Sequence, residues 1–379
     1  MYQLQFYNLL LTPLHADQKK QDMDKSLYYN EYLHLDKILQ SQYPKSFDAT
    51  SDTAHDEMLF IIIHQTYELW FKQILFELDY IQQVFAQKNI NDNDDCLNLV
   101  RHRLYRIIRI LELLNQQVAV LETMTPLDFL EFRNALTPSS GFQSLQFRLI
   151  EAWLGLTLHQ RHHHCYYKRT NEGGLNENDF DTLNKVEKSN TLLQQVNNWL
   201  ERLPFWDLSF WSSYNSTSST LHPFWELYRT LYQQSLLKKE TNEINDFDFI
   251  FFNIKNNKLT EEQQKTLYSP FSNAAMQAAL FIMLYRDMPY FQTAYQILDS
   301  LIMIDHWMAS WRHKHLLMVK RMIGMRVVTG NTSGAGYLDG ALQKHFIYKD
   351  IAGLSTFLIE RNKLPKLPNA LIQHLSFHR

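Results

Sequence analysis

Apolar residues recur at helical spacing along most of this chain of 379 residues, and the strict alternation of a β-strand is nearly absent. Glycine, which weakens helices, is also scarce: the chain has ten, against a usual share of about 7%. The chain is therefore predicted to be all-α and built from long helices. The predicted helices cover residues 28–42, 53–86, 98–123, 126–136, 142–158, 270–286, 289–326 and 342–360.

Two of these segments carry more detailed predictions. In the segment 28–42, Tyr32, Leu35 and Leu39 share one face and are expected to point inward. For the helix predicted at 53–86, Thr53 and Asp56 stand at the spacing of an N-terminal cap.

One stretch of the chain departs from the helical pattern. Residues 205–265 are first rich in Ser and Thr, then mixed in charge and weakly periodic. We interpret this stretch as a small peripheral helical insertion. It divides the chain into an N-terminal arm with the first part of the helical core (1–204), the insertion, and the second part of the core (266–379).

Composition excludes several classes of protein. The formal net charge is −3, so there is no basic field to bind nucleic acid or an anionic membrane. The longest apolar runs, such as 58–63, are too short to span a bilayer. Cys96 and Cys165 are too few for a disulfide framework, and no signal peptide is predicted at the N-terminus. A cytoplasmic location is therefore expected.

The scarce glycines are concentrated in one place. Five of the ten fall within residues 324–340, directly after a long predicted helix. Because glycine gives the backbone freedom that other residues lack, this clustering predicts a functional loop.

Two predicted helices each place a histidine on an apolar face. The first face consists of Phe60, His64, Tyr67 and Phe71, and the second of Trp311, His315, Met318, Val319 and Met322. A single buried histidine is most often a hydrogen-bonded core residue. Two such faces, with an arginine-bearing turn between them in the sequence, are more typical of the two walls of a cofactor pocket.

That arginine is Arg133, on the inward side of a short predicted helix with Phe129 one turn before it. Two interpretations stay open from the pattern alone. Arg133 is either a solvated side chain with a buried stem, or a fork that binds a substrate carboxylate through two parallel hydrogen bonds.

Two other motifs are set aside. In HQRHHHC (159–165), consecutive histidines on a helix point about 100° apart and cannot converge on one ion. We interpret it as a solvated basic helix end. GAGYLDG (334–340) resembles a dinucleotide fingerprint, but a helix precedes it and its third glycine is one position late.

Three long strings resemble the tryptophan 2,3-dioxygenase family: HDEMLFIIIHQTYELWFKQIL, FRNALTPSSGFQSLQFR and WRHKHLLMVKRMIG. The resemblance covers essentially the whole chain, from YYNEYLHLDKILQSQ to YKDIAGLSTFLIERNKLPK, and is weak over 205–265. It implies a helical bundle around a b-type haem pocket, with one ferrous haem per subunit. The implied activity is cleavage of the indole C2–C3 bond of L-tryptophan by O₂ to N-formylkynurenine, the first step of the kynurenine pathway.

The resemblance also implies which residues bind the cofactor. His315 would be the axial ligand of the haem iron, with Trp311 and Ser140 beside the haem. His313 lies off the apolar face and is the poorer candidate. Since the chain has no C-x-x-C-H sequence, the haem would be held without a covalent bond.

Substrate contacts follow from the same resemblance. His64 would face the indole N–H, and Arg133 would bind the carboxylate. Thr329 would hold the amino-acid end from the glycine-rich loop. The remaining implied contacts are Phe60, Ile61, Ile62, Ile63 and Phe129 within the subunit, and Tyr29, Tyr32 and Leu33 reaching the active site of a neighbouring subunit in a homotetramer.

The chain departs from the family around Thr329. Relatives usually have glycines in a G-T-G-G pattern, whereas this chain has Val328 before the threonine and Asn331 two residues after it. The departure leaves a substituted tryptophan open as an alternative substrate. A haem-binding sensor without turnover is a further alternative, but a sensor has no need for His64, Arg133 and Thr329 together.

Overall fold

The structure is a computed structural model of the chain, and it describes residues 27–48, 53–87, 95–156, 174–214, 221–253, 269–324, 327–328, 332–333 and 345–375. The described α-helices are α1 (Tyr29–Leu33), α2 (Leu35–Leu39), α3 (Asp56–Phe85), α4 (Asp95–Leu121), α5 (Pro126–Phe132), α6 (Leu145–Leu154), α7 (Glu177–Glu187), α8 (Leu192–Glu201), α9 (Pro223–Ser235), α10 (Glu243–Phe252), α11 (Asn273–Leu284), α12 (Gln292–Ile323), α13 (Lys349–Gly353) and α14 (Asn369–Leu375). Two-residue strands β1 (Val327–Val328) and β2 (Thr332–Ser333) pair antiparallel after α12. The prediction of an all-α fold is confirmed.

Three long helices form the centre of the molecule. Helix α4 packs along both α3 and α12. Its inward face repeats every three or four residues, which is the spacing that keeps side chains on one side of a helix. The buried residues of this face include Val100, Leu104, Ile107, Ile108, Leu111, Leu114 and Val118. This regular spacing is why the predicted bounds 98–123 lie close to the observed helix.

The start of α3 differs from the prediction. No side chain caps it at the N-cap position, His55. Glu57, in the first turn, is buried and accepts the backbone N–H groups of Lys45 and Ser46 at 2.7 and 2.8 Å. The carboxylate therefore ties the preceding chain to the helix, and the predicted cap by Thr53 is wrong.

The N-terminal segment also differs from the prediction. The helix predicted at 28–42 is broken at His34, whose φ of 50° is left-handed and ends α1 before α2 begins. Tyr32 and Leu39 were expected to face inward, but they are 65% and 70% exposed. The apolar residues of this segment therefore find little cover within their own chain.

The stretch predicted as a peripheral insertion is helical, but its aromatic residues belong to the core. The rings of Phe224, Trp225 and Phe247 are almost completely buried. Phe224 packs on Phe281 of α11, with ring centroids 5.1 Å apart, and Phe247 packs on Phe357. Rings buried on several faces of short helices give weak periodicity, so the sequence pattern alone does not distinguish this stretch from a peripheral insertion. The proposed domain bounds stay a prediction.

The end of the chain is less helical than predicted. Within 342–360, the described helical structure is α13 and a 3-10 helix at Leu354–Phe357. Residues 345–348 precede α13 in a non-helical conformation, and the backbone N–H of Tyr348 donates to Asp305 of α12 at 2.5 Å. Residues 345–348 are thus fixed against α12 and do not form part of a long helix.

Candidate functional site

One wall of the candidate site is formed by the first half of α3. Phe60 and His64 lie one turn apart, and their ring centroids are 4.1 Å apart. The Nδ1 of His64 lies 2.7 Å from the backbone oxygen of Phe60. Because a carbonyl oxygen only accepts hydrogen bonds, we assign the proton of the neutral ring to Nδ1. Nε2 then carries a lone pair and can accept a hydrogen bond from a ligand.

The environment of His64 favours this neutral form. The ring of His64 is exposed to solvent on one side and surrounded by protein on the others. This is expected of a side chain that lines a concave site. Burial lowers the pKa of His64 below the usual 6.5, against smaller opposing effects of the Phe60 carbonyl and the Glu68 carboxylate. At neutral pH, His64 therefore presents an uncharged acceptor.

Helix α5 closes the same wall with two more aromatic rings. It begins with Pro126 and a reciprocal cap between Thr125 and Asp128, which fixes where the helix starts. Phe129 and Phe132 then pack on Phe60, with centroid distances of 5.9 and 5.5 Å. Three rings thus form an apolar wall of a kind that suits a flat aromatic ligand.

Arg133 follows this aromatic wall directly. It is half-buried and opens a 3-10 helix, Arg133–Leu136. Its guanidinium makes no hydrogen bond or ion pair with another described residue. Unlike the buried Arg312, which binds Glu151 at 2.8 Å, Arg133 keeps its donors available for an anionic ligand.

Ser140 lies on the turn between α5 and α6. Its hydroxyl oxygen accepts the backbone N–H of Phe142 at 3.3 Å, and its own N–H donates to the side chain of Gln143 at 3.0 Å. These bonds make Ser140 the cap of a 3-10 helix, Gly141–Gln143. The hydroxyl hydrogen is not used by this cap and can donate to a ligand.

The second wall is the C-terminal half of α12. Trp311 and His315 stack one turn apart, with centroids 5.2 Å apart and ring planes 4° from parallel. Neither ring nitrogen of His315 has a hydrogen-bond partner among the described residues, and because Nδ1 is buried, Nε2 is the nitrogen that an external ligand could reach. Burial, with a smaller contribution from the charge of nearby His64, lowers the pKa of His315 to about 4. His313 is exposed, on another side of the helix.

Aromatic packing connects the two walls. Trp311 contacts Tyr67 of α3 edge to face, with centroids 6.0 Å apart, and Phe147 of α6 at 5.1 Å. The hydroxyl of Tyr67 donates to the backbone oxygen of Leu114 on α4 at 3.0 Å. Tyr67 lies one turn after His64, so the contact holds the two histidine-bearing helices in a fixed relation.

The structure brings some of the predicted site residues together and leaves others apart. Phe60, His64 and Phe129 are brought together, and His315 with Trp311 lies near enough for His64 to act on it electrostatically. On α3, Ile63 is buried on the face of Phe60 and Ile61 is half-buried, whereas Ile62 is 45% exposed. Tyr29, Tyr32 and Leu33 are exposed on α1. Thr329, Asn331 and the segments 159–165 and 334–340 lie outside the described residues.

Three residues of the site were missed from the sequence. Phe132 completes the aromatic wall, and Phe147 packs on Trp311. Glu68 binds side chains of α6 from a position one turn beyond His64. The spacing of four residues between His64 and Glu68 was the available signal, because such pairs share a helix face.

The residues of the second wall fit a haem ligand. A neutral imidazole with one free nitrogen, stacked on a tryptophan and set in an apolar surface, has the donor chemistry for an axial haem ligand. Among the described residues, no group of three or more His, Cys, Asp or Glu side chains could hold a bare metal ion. No described helix is both long and apolar enough to cross a membrane.

Comparison with known proteins gives a consistent family. The model of the family described as tryptophan 2,3-dioxygenase matches residues 14–358. A protein named tryptophan 2,3-dioxygenase from Bdellovibrio bacteriovorus is 41% identical over 93% of this chain and 98% of its own length. Tryptophan 2,3-dioxygenase B of Danio rerio is 39% identical, over 90% of this chain and 85% of its own length. The protein of that name from Dictyostelium discoideum is 38% identical, with 94% and 90% covered.

Proposed function

The chain belongs to the tryptophan 2,3-dioxygenase family, a haem-dependent class of oxidoreductase, and we propose that it cleaves the indole C2–C3 bond of L-tryptophan between α3 and α12. The product is N-formylkynurenine. The observation that supports this proposal is a pair of histidines near enough to interact electrostatically: His64, whose Nδ1 lies beside the backbone oxygen of Phe60, and His315, whose ring nitrogens have no described hydrogen-bond partner. The names of the relatives do not favour the two alternatives, a substituted tryptophan as substrate and a sensor without turnover.

The two ends of the substrate require different residues. The indole ring packs on Phe60 and Phe129, and its N–H donates to Nε2 of His64. Arg133, which has no described partner, binds the carboxylate, and Thr329 of the glycine-rich loop holds the amino group. Anchoring both ends fixes the C2–C3 bond at the reacting position, which is the protein's main contribution in cofactor chemistry.

His315 of α12 would hold the haem through Nε2, with Trp311 stacked on its ring, and the hydroxyl of Ser140 would be available to the cofactor. The haem, when bound, supplies the activation of O₂. The aromatic walls keep water from the reacting ring. The direct test is to mix reduced, haem-loaded protein with L-tryptophan and air and follow the absorbance of N-formylkynurenine. A haem-loaded protein that leaves L-tryptophan unchanged would contradict the proposal.

The pH dependence of turnover tests the role of His64. The lone pair of Nε2 is present above the pKa of His64 and is lost as the pH falls through it. Because burial lowers that pKa, we expect kcat/KM to fall only below the ordinary histidine value of about 6.5. We call this fall at low pH the acid limb of the pH profile. The amide oxygen of His64→Gln accepts a hydrogen bond at any pH, so the acid limb should be absent from this variant. The expected loss at neutral pH is about 1 kcal/mol, or roughly fivefold, because one hydrogen bond is altered.

The matched control for this measurement is His102→Gln, at an exposed histidine of α4. Its pH profile should equal that of the unaltered protein. An acid limb that persists unchanged in His64→Gln would exclude His64 as the titrating group, and complete inactivity with haem retained would instead indicate an obligatory proton transfer.

The N-terminal segment supports the proposed homotetramer. None of the residues of α1 or α2 is buried, although the two helices carry tyrosine, leucine and isoleucine side chains. Hydrogen bonds from Gln42 to Gln65 and from Gln65 to the backbone oxygen of Ser41 hold the base of this segment against α3. Among the described residues, the apolar side chains of this segment stay exposed, and such a surface suits contact with a second copy of the chain. We propose that Tyr29, Tyr32 and Leu33 reach the active site of a neighbouring subunit.

Replacing Tyr29 and Tyr32 together with serine tests this contact. We expect a smaller oligomer by light scattering and a higher KM for L-tryptophan, with haem content unchanged. The control is Tyr105→Ser, at a 52% exposed tyrosine of α4 that packs under Arg109. An unchanged mass together with an unchanged KM would contradict the proposed contact.

A further inference from the structure

Glu68 is a carboxylate of the candidate site that the proposed reaction does not use directly. It lies on α3, one turn after His64. Its Oε1 accepts the hydroxyl of Ser144 at 2.6 Å, and its Oε2 accepts the side-chain amide of Gln146 at 2.8 Å. The same amide also donates to the backbone oxygen of Glu68 at 2.8 Å. One residue of α3 therefore receives three hydrogen bonds from the start of α6.

These bonds act on the turn that carries Ser140. Ser144 caps α6 by accepting the backbone N–H of Phe147 at 3.3 Å, and it closes the turn after the 3-10 helix that Ser140 begins. Phe147 in turn packs on Trp311. A carboxylate that holds Ser144 thus fixes the position of α6 and its turn relative to the helix that bears His64.

The charge of Glu68 also acts on His64. No described Lys or Arg lies within ion-pair distance of Glu68. Its negative charge therefore has no ion-pair partner among the described residues, and it raises the pKa of His64 against the larger lowering effect of burial. The other titratable group that interacts electrostatically with His64 is His315 on α12, and the charged residue that follows the aromatic wall is Arg133.

We propose that Glu68 is a positioning residue, which holds the His64 wall and the Ser140 turn in one fixed arrangement for the reaction on L-tryptophan. This inference rests on the proposed function of the site. It differs from a purely structural role because it predicts that the charge of Glu68, and not only its hydrogen bonds, affects turnover.

Three variants of the haem-loaded protein separate these effects. Glu68→Gln removes the charge and keeps an acceptor oxygen, whereas Ser144→Ala removes the hydrogen bond to Glu68, together with the cap of α6, and keeps the charge. Glu77→Gln is the matched control, because Glu77 is a buried carboxylate of the same helix whose charge is paired with Arg103 and Arg106. Three quantities are measured: hydrogen exchange of residues 140–147, haem content, and the pH dependence of kcat/KM for L-tryptophan.

We expect Glu68→Gln to lower kcat/KM roughly tenfold. This is the smaller of the losses usually seen when a residue that orients a side chain of the active site is removed. Its acid limb should move to lower pH, because the carboxylate that stabilises protonated His64 is gone. Exchange of residues 140–147 should become faster, and haem content should not change. Ser144→Ala should speed exchange without moving the acid limb, and Glu77→Gln should change neither.

Two results would overturn the inference. Unchanged exchange of residues 140–147 in Glu68→Gln would exclude the positioning contact, and faster exchange with an unmoved acid limb would leave Glu68 a structural residue only. If the unaltered protein forms no N-formylkynurenine, the proposed function fails. In that case the exchange measurement still decides whether Glu68 holds the turn, so the two failures are distinguishable.

Discussion

The variant His315→Ala is expected to lose most of its bound haem, whereas His313→Ala is expected to keep it. The two histidines lie two residues apart on α12, and helix geometry turns them to different sides. His315 stacks on Trp311 within the site, with Nε2 open, while His313 is exposed. Loss of a residue that only hydrogen-bonds to a metal ligand typically lowers metal affinity roughly 10–100-fold. Loss of the axial ligand itself should lower haem affinity by more than that. The absorbance of the haem per subunit measures this directly.

Loss of haem must be separated from loss of fold. Circular dichroism of the His315→Ala protein should show the helical content of the unaltered protein, because the core of α3, α4 and α12 does not depend on this ring. Added imidazole should restore part of the haem binding, since it can fill the space and supply the missing nitrogen. Equal haem retention by the two variants would contradict the assignment of His315.

The long helices could be predicted from the sequence because their inward faces are regular. In α4, one apolar stripe faces its neighbours and polar residues face solvent, so period and bounds follow from spacing. The spacing of apolar residues does not predict a helix well where its side chains are buried on more than one face. Rings of α9 and α10 are buried among one another and against α11, so no single stripe marks them. At His34, a left-handed residue breaks a segment whose periodicity continues through it.

For the site, the sequence predicted which residue types lie on which helix face but not their hydrogen bonds. Spacing alone places Phe60 and His64 together. That the carbonyl of Phe60 binds Nδ1, and so leaves Nε2 as the acceptor, depends on a rotamer of His64 that spacing does not determine. The bonds of Glu68 to Ser144 and Gln146 join residues far apart in the sequence, and no local pattern encodes such a pairing.

Replacing Arg133 with methionine is expected to reduce kcat/KM for L-tryptophan by about two to three and a half decades. In the closed site, the substrate carboxylate would be left without its partner, which costs roughly 3–5 kcal/mol, and about 1.4 kcal/mol corresponds to tenfold. Arg133→Lys should recover only part of this loss, because lysine keeps the charge but cannot form two parallel hydrogen bonds. Haem content should not change in either variant.

Tryptamine, which lacks the carboxylate, distinguishes this role from a general disturbance of the site. The unaltered protein should use tryptamine poorly, and Arg133→Met should use it no worse than the unaltered protein does. The preference for L-tryptophan over tryptamine should therefore collapse in this variant and persist in the control Arg109→Met, at an exposed arginine of α4 paired with Glu112. Efficient turnover of tryptamine by the unaltered protein would argue against a carboxylate clamp at Arg133. The guanidinium of Arg133, which has no partner among the described residues and follows the aromatic wall, is the physical reason to expect the opposite. A charged group in this position gains most from an anion that a flat aromatic ligand presents.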